Sequence, residues 1–335
     1  PKNGFDPFFS MQPLALELEK LLNTPVVFLP DCVGKKVELS IKLLNPGSVV
    51  LLENLRFYKE EKMCDLGFSE KLSRLADVFI NDAFGTAHRS HASTTGVTKF
   101  FPKTKYFGCI MEQEISSLNK IFKTPIQPLT AIIGGAKISS KIGVLSSLVG
   151  VVDNLIIGGG MAYTFIKALG GEIGDSLVED NKIDLALSII SEAKKNNTSL
   201  CLPVDSLNSR SPNNATNIYF SDIKKINSGF MGVDIGEKSI SHFVDIISRS
   251  GTVLWNGPMG VFEVPDFSKG TSSITQAIVS ATEKGVFSLV GGGDSISALN
   301  QFADENKVSY VSTGGGAMLE YLEKMSLPAI DAIRS

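Results

Sequence analysis

The chain has 335 residues, too many for one ordinary hydrophobic core, so two domains are expected. Hydrophobic residues make up 43% and charged residues 20%, the balance of a soluble globular protein. The net charge of −3 argues against a broad nucleic-acid or anionic-membrane surface, so any anion site must be local. No apolar run reaches membrane-spanning length and no signal peptide opens the chain, which points to a cytoplasmic protein. Cys32, Cys64, Cys109 and Cys201 show no CxxC spacing and read as free, mostly buried thiols.

In chain order, strand-like runs fall at Val26–Leu29, Val49–Leu52, Val78–Ile80, Thr130–Ile133, Leu155–Ile157, Ser199–Leu202, Thr252–Trp255, Phe287–Val290 and Tyr310–Ser312. Helical spacing is read at Leu14–Leu22, Lys182–Lys195, Ile240–Ser248 and Ser272–Thr282. Largely apolar strands alternating with helices indicate α/β architecture with parallel sheets covered on both faces. Ile110–Phe122 reads as an amphipathic helix, and Thr124-Pro125-Ile126-Gln127-Pro128 follows it as a rigid break, so a boundary is expected near residue 124. About three strands precede that boundary by pattern and about six follow it, which suggests an incomplete first domain. The chain also opens on the loop-like Pro1-Lys2-Asn3-Gly4 rather than on Met.

Two arginines follow strands in the first region, in Leu52-Glu53-Asn54-Leu55-Arg56-Phe57 and in Asn81-Asp82-Ala83-Phe84-Gly85-Thr86-Ala87-His88-Arg89-Ser90-His91. A guanidinium fork suits carboxylate or phosphate, although surface ion pairing is the plainer reading. His88 and His91 are close in sequence but lack the further ligands of a zinc site. Beyond the boundary, strand-like runs end in glycine turns at Gly134-Gly135, Gly158-Gly159-Gly160, Gly291-Gly292-Gly293 and Gly314-Gly315-Gly316. Glycine lets backbone N–H groups approach an anion, and a following helix start adds partial positive charge. These turns suggest a crevice for a heavily phosphorylated ligand. After the first turn, Lys137 and Lys141 are four apart and are expected on one helix face, either sharing an anion or simply solvated. Trp255-Asn256-Gly257-Pro258 ends a strand, where open α/β sheets bind ligands, and Glu263 beyond it suits ribose hydroxyls; a plain Gly-Pro turn is the alternative. Asp294 is either a helix N-cap or a carboxylate for Mg²⁺ beside phosphates. GxxxxGK[ST], GxGxxG and Gly-x-Ser-x-Gly patterns are absent.

These segments, taken in order, resemble the phosphoglycerate kinase family. The landmarks are LLENLRFYKEE at 51–61, NDAFGTAHRSHAST at 81–94, GGAKISSKIGVL at 134–145, IIGGGMAYTF at 156–165, GVDIGEKS at 232–239, WNGPMGVFE at 255–263, VGGGDS at 290–295 and VSTGGGAMLEYLE at 311–323. The resemblance implies reversible phosphoryl transfer between 1,3-bisphosphoglycerate and Mg-ADP, giving 3-phosphoglycerate and Mg-ATP, by a cytoplasmic, hinge-bending, monomeric glycolytic enzyme. It implies two doubly wound parallel-sheet domains: a partial N-terminal triose-binding domain at 1–109, an interdomain helix at 110–123, a C-terminal nucleotide-binding domain at 124–323, and a segment at 324–335 that returns to the first domain.

Carried over residue by residue, the resemblance implies catalytic roles for Lys137, Gly292 and Gly315, with Lys137 on the transferring phosphoryl. Lys141 would meet the nucleotide phosphates. Gly135, Gly159, Met231, Gly232 and Val233 would surround the adenosine. Asn256 and Pro258 would touch the nucleotide, and Glu263 the ribose. Gly291, Gly292, Gly293, Asp294 and Ser295 would complete the nucleotide site, with Asp294 on Mg²⁺ and Ser295 where the family usually has threonine. Arg56 and Arg89 would belong to the triose patch. Ser140 departs from a common acidic residue. Pro1-Lys2-Asn3-Gly4 resembles the tail of the family's SHLGRPKG motif, so the Asp, Asn, His and further arginines that precede it in the family have no counterpart here. An alternative expectation follows: a Mg-nucleotide-binding fragment with little turnover.

Overall fold

The computed structural model describes residues 4–215 and 217–335. The opening Pro1-Lys2-Asn3 lies outside the described residues. The chain divides into two units: residues up to Glu112 together with Ser326–Ser335, and Gln113–Met325. The sequence boundary between them falls inside one helix, Cys109–Phe122.

The second unit is built on a six-stranded sheet in the order Tyr310–Val311, Phe287–Val290, Thr252–Asn256, Leu129–Ile133, Asn154–Ile157, Ser199–Cys201. Every pairing in it is parallel. The two central strands, Leu-Thr-Ala-Ile-Ile and Thr-Val-Leu-Trp-Asn, are buried at every position. Strands covered on both faces need no polar alternation, which is why their sequences read as continuous apolar runs. Helix Glu237–Ser248 packs against helix Lys269–Glu283. Phe243 and Ile247 on the first, and Ile274 and Ile278 on the second, recur four residues apart and are fully buried in one cluster with Ile132, Ile156 and Trp255. No helix among the described residues is long and apolar enough to cross a membrane.

A second sheet lies outside the sequence expectations. Tyr219–Asp222, Asp205–Ser209 and Met231–Ile235 pair antiparallel, with a register shift between Gly232 and Asp234. Its middle strand buries polar residues that satisfy one another. The Ser206 hydroxyl donates to Asn208 Oδ1 at 2.8 Å, and Asn208 Nδ2 donates to Ser221 Oγ at 2.9 Å. A polar core of this kind carries no hydrophobic periodicity to read.

In the first unit, Val26–Leu29, helix Lys35–Lys42 and Val49–Leu52 form a β-α-β unit with parallel strands. Phe79–Asn81 pairs parallel with Lys105–Phe107, a strand that sequence reading missed. The doubly wound sheet expected here is replaced, among the described residues, by these two separate strand pairs. The C-terminal helix Pro328–Arg334 belongs to this unit. Ala329 N donates to Ala87 O at 3.1 Å, and Lys105 Nζ caps the far end through Ala332 O at 2.9 Å.

Candidate active site

The six-stranded sheet starts at Leu129–Ile133 and grows one way through Asn154–Ile157 and Ser199–Cys201. Thr252–Asn256 then pairs on the opposite side, followed by Phe287–Val290 and Tyr310–Val311. Strand order therefore reverses between the two central strands, and a crevice opens at their carboxyl ends. The glycine turns meet there, but not in the way their sequence suggests. Gly134 N donates to Asn256 O at 2.9 Å, Gly135 N to Pro258 O at 3.2 Å, Gly158 N to Ile133 O at 3.0 Å, and Gly159 N to Met259 O at 3.0 Å. Gly291 N likewise donates to Trp255 O at 3.0 Å. These N–H groups are spent on backbone and do not cradle an anion. The glycines are needed instead for close approach: a Cβ on Gly134 would collide with the Pro258 carbonyl, and one on Gly257 with the Gly134 carbonyl.

Above this backbone floor lies a cleft of about 250 Å³, walled by Gly135, Ala136, Gly159, Gly160, Tyr163, Leu177, Gly232, Val233, Pro258, Met259, Gly260 and Val261, with the carboxylates of Glu263 and Asp294 on its rim. The wall at Gly232 and Val233 sits on the register shift of the antiparallel sheet, and bulges of this kind re-aim side chains beside active sites. Gly232 N is fixed by Ser176 Oγ at 2.9 Å, and Met259 N by Thr271 Oγ1 at 3.1 Å. Met231 is half-buried beside them on the same strand.

Lys137 and Lys141 do not share an α-helical face. Lys137 is extended and exposed, and it caps a 3₁₀ turn, Ile138–Ser140; Lys141 ends that turn and precedes helix Ile142–Leu148. With three residues per 3₁₀ turn, a four-residue spacing no longer superposes side chains. Lys141 is half-buried and its Nζ bonds the Asn256 amide oxygen. Burial pushes its pKa below the usual lysine value, while the Asp294 charge nearby pulls it back up. Asn256 is buried and also donates through Nδ2 to Gly291 O at 2.6 Å. Ser295 is buried too, and its hydroxyl accepts from Gly257 N at 2.6 Å.

Asp294 is not the N-cap of its helix. That position is Gly292, at φ +96°, and the exposed Asp294 lies in the first turn of helix Gly293–Phe302. A second helix, Gly315–Lys324, begins beside the first: a Cβ on Gly315 would lie 2.8 Å from Gly292 Cα. The leading N–H groups of a helix have no intrahelical acceptor. Two such ends converge next to Lys141, and this is where the molecule offers free positive dipoles to an anion.

The family model for phosphoglycerate kinase matches residues 1–324. The chain belongs to the phosphoglycerate kinase family. It is 45% identical over 333 residues to a phosphoglycerate kinase of Chlorobium phaeovibrioides, covering 99% of this chain and 84% of the relative. A cytosolic phosphoglycerate kinase of Triticum aestivum is 46% identical over 330 residues, with 98% and 82% covered. Among solved structures, a phosphoglycerate kinase from Coxiella burnetii superposes with a TM-score of 0.91 at 38% identity, covering 100% of this chain and 83% of that one. These matches, spanning nearly all of this chain, do not by themselves support the expectation of an incomplete first domain.

Of the positions that resemble the phosphoglycerate kinase nucleotide site, Gly135, Gly159, Gly232, Val233, Pro258, Glu263 and Asp294 line one cleft. Asn256, Lys141, Gly291, Gly292 and Ser295 join them through the bonds described above, and Gly293 opens the helix. Lys137 stands apart as an exposed side chain. Tyr163, Leu177 and Met259 also line the cleft and were missed; only their closeness in sequence to the glycine turns or to Glu172–Ile173 hints at them.

In the first unit, Asn54 Oδ1 accepts from Arg56 N at 3.0 Å and fixes the turn Leu55–Phe57. Arg89 is exposed, with Nε donating to His88 Nε2 at 3.2 Å. Both guanidiniums act on His91. Burial lowers the His91 pKa first; Glu61 opposes this, and Arg56, Arg89 and Lys62 add to the lowering. The two arginines thus share one neighbourhood. Glu61 is buried beneath it and accepts from Ser93 N at 3.0 Å and Ser93 Oγ at 2.6 Å. No group of three or more His, Cys, Asp or Glu poised for a metal occurs among the described residues.

Proposed function

We propose that this chain catalyses reversible phosphoryl transfer between 1,3-bisphosphoglycerate and ADP, giving 3-phosphoglycerate and ATP, as a monomeric cytoplasmic enzyme of glycolysis. The observation that carries the reading is the convergence of two helix N-termini with the half-buried Lys141 at one end of a narrow cleft whose rim bears Glu263. The cytosolic relative supports the cytoplasmic setting.

The adenosine sits between Gly135, Gly159 and the Met231-Gly232-Val233 wall, with Pro258 beneath it. Glu263 accepts the ribose hydroxyls. The phosphates extend to Lys141, Asn256 and the N–H groups of Gly293, Asp294 and Ser295. Phosphoryl transfer demands positioning and charge neutralisation more than covalent help. Lys137 neutralises the moving phosphoryl, while backbone dipoles at Gly292 and Gly315 face the same charge. Arg56 and Arg89 hold the triose by its carboxyl and phosphate groups. An exposed lone carboxylate beside bound phosphates fits Mg²⁺, which takes one or two protein carboxylates and completes its shell with phosphate and water. Asp294 would hold the ion, which when bound would offset phosphate charge.

The test is a coupled assay of the chain with ATP and 3-phosphoglycerate. Turnover that needs both substrates and falls steeply in Lys137→Ala supports the reading. ATP binding without any turnover would reject it in favour of a nucleotide-binding fragment.

A further inference from the structure

The 3₁₀ turn that follows Lys137 has only three residues and no side-chain cap of its own. Its leading N–H groups need an acceptor from elsewhere. Glu179, remote in sequence, supplies it: Glu179 Oε2 accepts from Ser139 N at 2.9 Å. We propose that Glu179 is a positioning residue that shapes the Lys137–Lys141 turn for the phosphates of a nucleotide.

Glu179 is itself anchored to the wall of the cleft. Its backbone N–H donates at 3.2 Å to Thr164 Oγ1, and Thr164 is buried on helix Ala162–Ala168, just after the Gly158–Gly160 turn. Two neighbours in the same segment reach the cleft wall: the buried Ser176 Oγ holds Gly232 N at 2.9 Å, and Leu177 lines the cavity. The segment 176–179 therefore touches the adenosine wall at one end and the lysine turn at the other. Bonds from the Ser139 hydroxyl and from the Ser139 and Ile138 N–H groups, with the nearby Lys137 charge, hold the Glu179 carboxyl below its ordinary range. Amide-to-carboxylate bonds of this kind are charge-assisted and directional. They occupy the leading N–H groups of this turn, at Ile138 and Ser139, so a phosphate is left chiefly to the two lysine side chains and to the helix ends at Gly292 and Gly315. They also fix the backbone at both lysines, since Lys137 opens the turn and Lys141 closes it.

The inference rests on the nucleotide reading above, so its test is a binding experiment that needs no turnover. ATP and adenosine are titrated calorimetrically into the wild-type chain, Glu179→Ala and Glu179→Gln. Glu179→Ala should weaken ATP about tenfold, the loss of roughly one charge-assisted bond, while adenosine stays within about twofold. Glu179→Gln keeps an oxygen acceptor and should retain ATP affinity within about threefold. Unchanged ATP affinity in Glu179→Ala overturns the proposal. So does a parallel loss of ATP and adenosine, which marks a structural role only, or a Gln variant as weak as the Ala variant. Hydrogen exchange at the Ser139 amide reads the turn without any ligand: it should be slow in the wild type and fast in Glu179→Ala, and equal rates would refute the tether. Wild-type ATP binding without catalysis would count against the transferase reading and leave the binding comparison intact.

Discussion

Asp234 stands directly behind the cleft wall, next to Val233, and is 2% exposed. Its Oδ2 accepts from Gly270 N at 2.6 Å, while its Oδ1 is buried without a hydrogen-bond partner. Burial raises its pKa from 3.8 to about 7, against the lowering effect of the Gly270 and Ile235 N–H groups. Among the described residues, no lysine or arginine forms an ion pair with it. Tyr163 and Asp205 are titratable neighbours, and Lys269 is paired with Glu237. A carboxyl that binds its proton more tightly when folded stabilises the fold below its unfolded pKa. That stability is lost as pH rises through the folded value. At ~1.4 kcal/mol per pH unit, the full loss is ~4 kcal/mol, of which ~2.5 kcal/mol falls between pH 5 and pH 8. The assay is urea unfolding across that range, followed by the fluorescence of Trp255, the only tryptophan and fully buried in the same core. Asp234→Asn carries no charge at any pH, so its stability should fall ~2.5 kcal/mol less than the wild type over the same interval. Glu114, buried and also raised, contributes alike to both proteins and cancels in the difference. Parallel pH profiles for wild type and variant would refute the reasoning.

Gly134→Ala forces a Cβ into the Pro258 carbonyl and should lower the unfolding free energy by ~1–3 kcal/mol, seen as a lower urea midpoint, together with loss of ATP binding; an unchanged midpoint would show that the floor can yield. Lys141→Ala should weaken ATP about tenfold. In the wild type, ATP affinity should begin to fall at a pH below the ordinary lysine range, because burial lowers the Lys141 pKa, and a flat alkaline profile would contradict this. Asp294→Asn should abolish the enhancement of ATP affinity by Mg²⁺, as read by titration with and without the ion. The Trp255 indole donates to Gly257 O at 2.8 Å, directly under the cleft, so its fluorescence should change on ATP binding; silence at saturating ATP would count against the site.

The central sheet was legible because its strands are buried on both faces: Leu129–Ile133 and Thr252–Asn256 announce themselves as apolar runs. The antiparallel sheet was not, because Asp205–Ser209 buries serine and asparagine that satisfy each other. Several of the positions named from sequence meet at one cleft, but their geometry was misread. Lys137 and Lys141 have a helical spacing in sequence, but the backbone between them is a 3₁₀ turn held by Glu179, and nothing local to that turn encodes its partner. The glycine turns fall where the sequence placed them, but the N–H groups of Gly134, Gly135, Gly158, Gly159 and Gly291 are engaged with neighbouring carbonyls. Asp234 was invisible as a buried acid, since its strand also contains Gly232 and Val233 and gives no sign of which residue points inward.

The floor of the cleft is stitched backbone to backbone, through Gly134 to Asn256, Gly135 to Pro258 and Gly159 to Met259. Substitution at its glycines is largely closed off: a Cβ on Gly134, Gly159 or Gly257 would meet neighbouring backbone, and Gly135 has a positive φ that disfavours any side chain. Retuning the site has to work from its rim. Leu177 and Glu263 are exposed side chains facing the cavity, and they are the positions at which drift or redesign can alter what the cleft accepts while the foundation stays as it is.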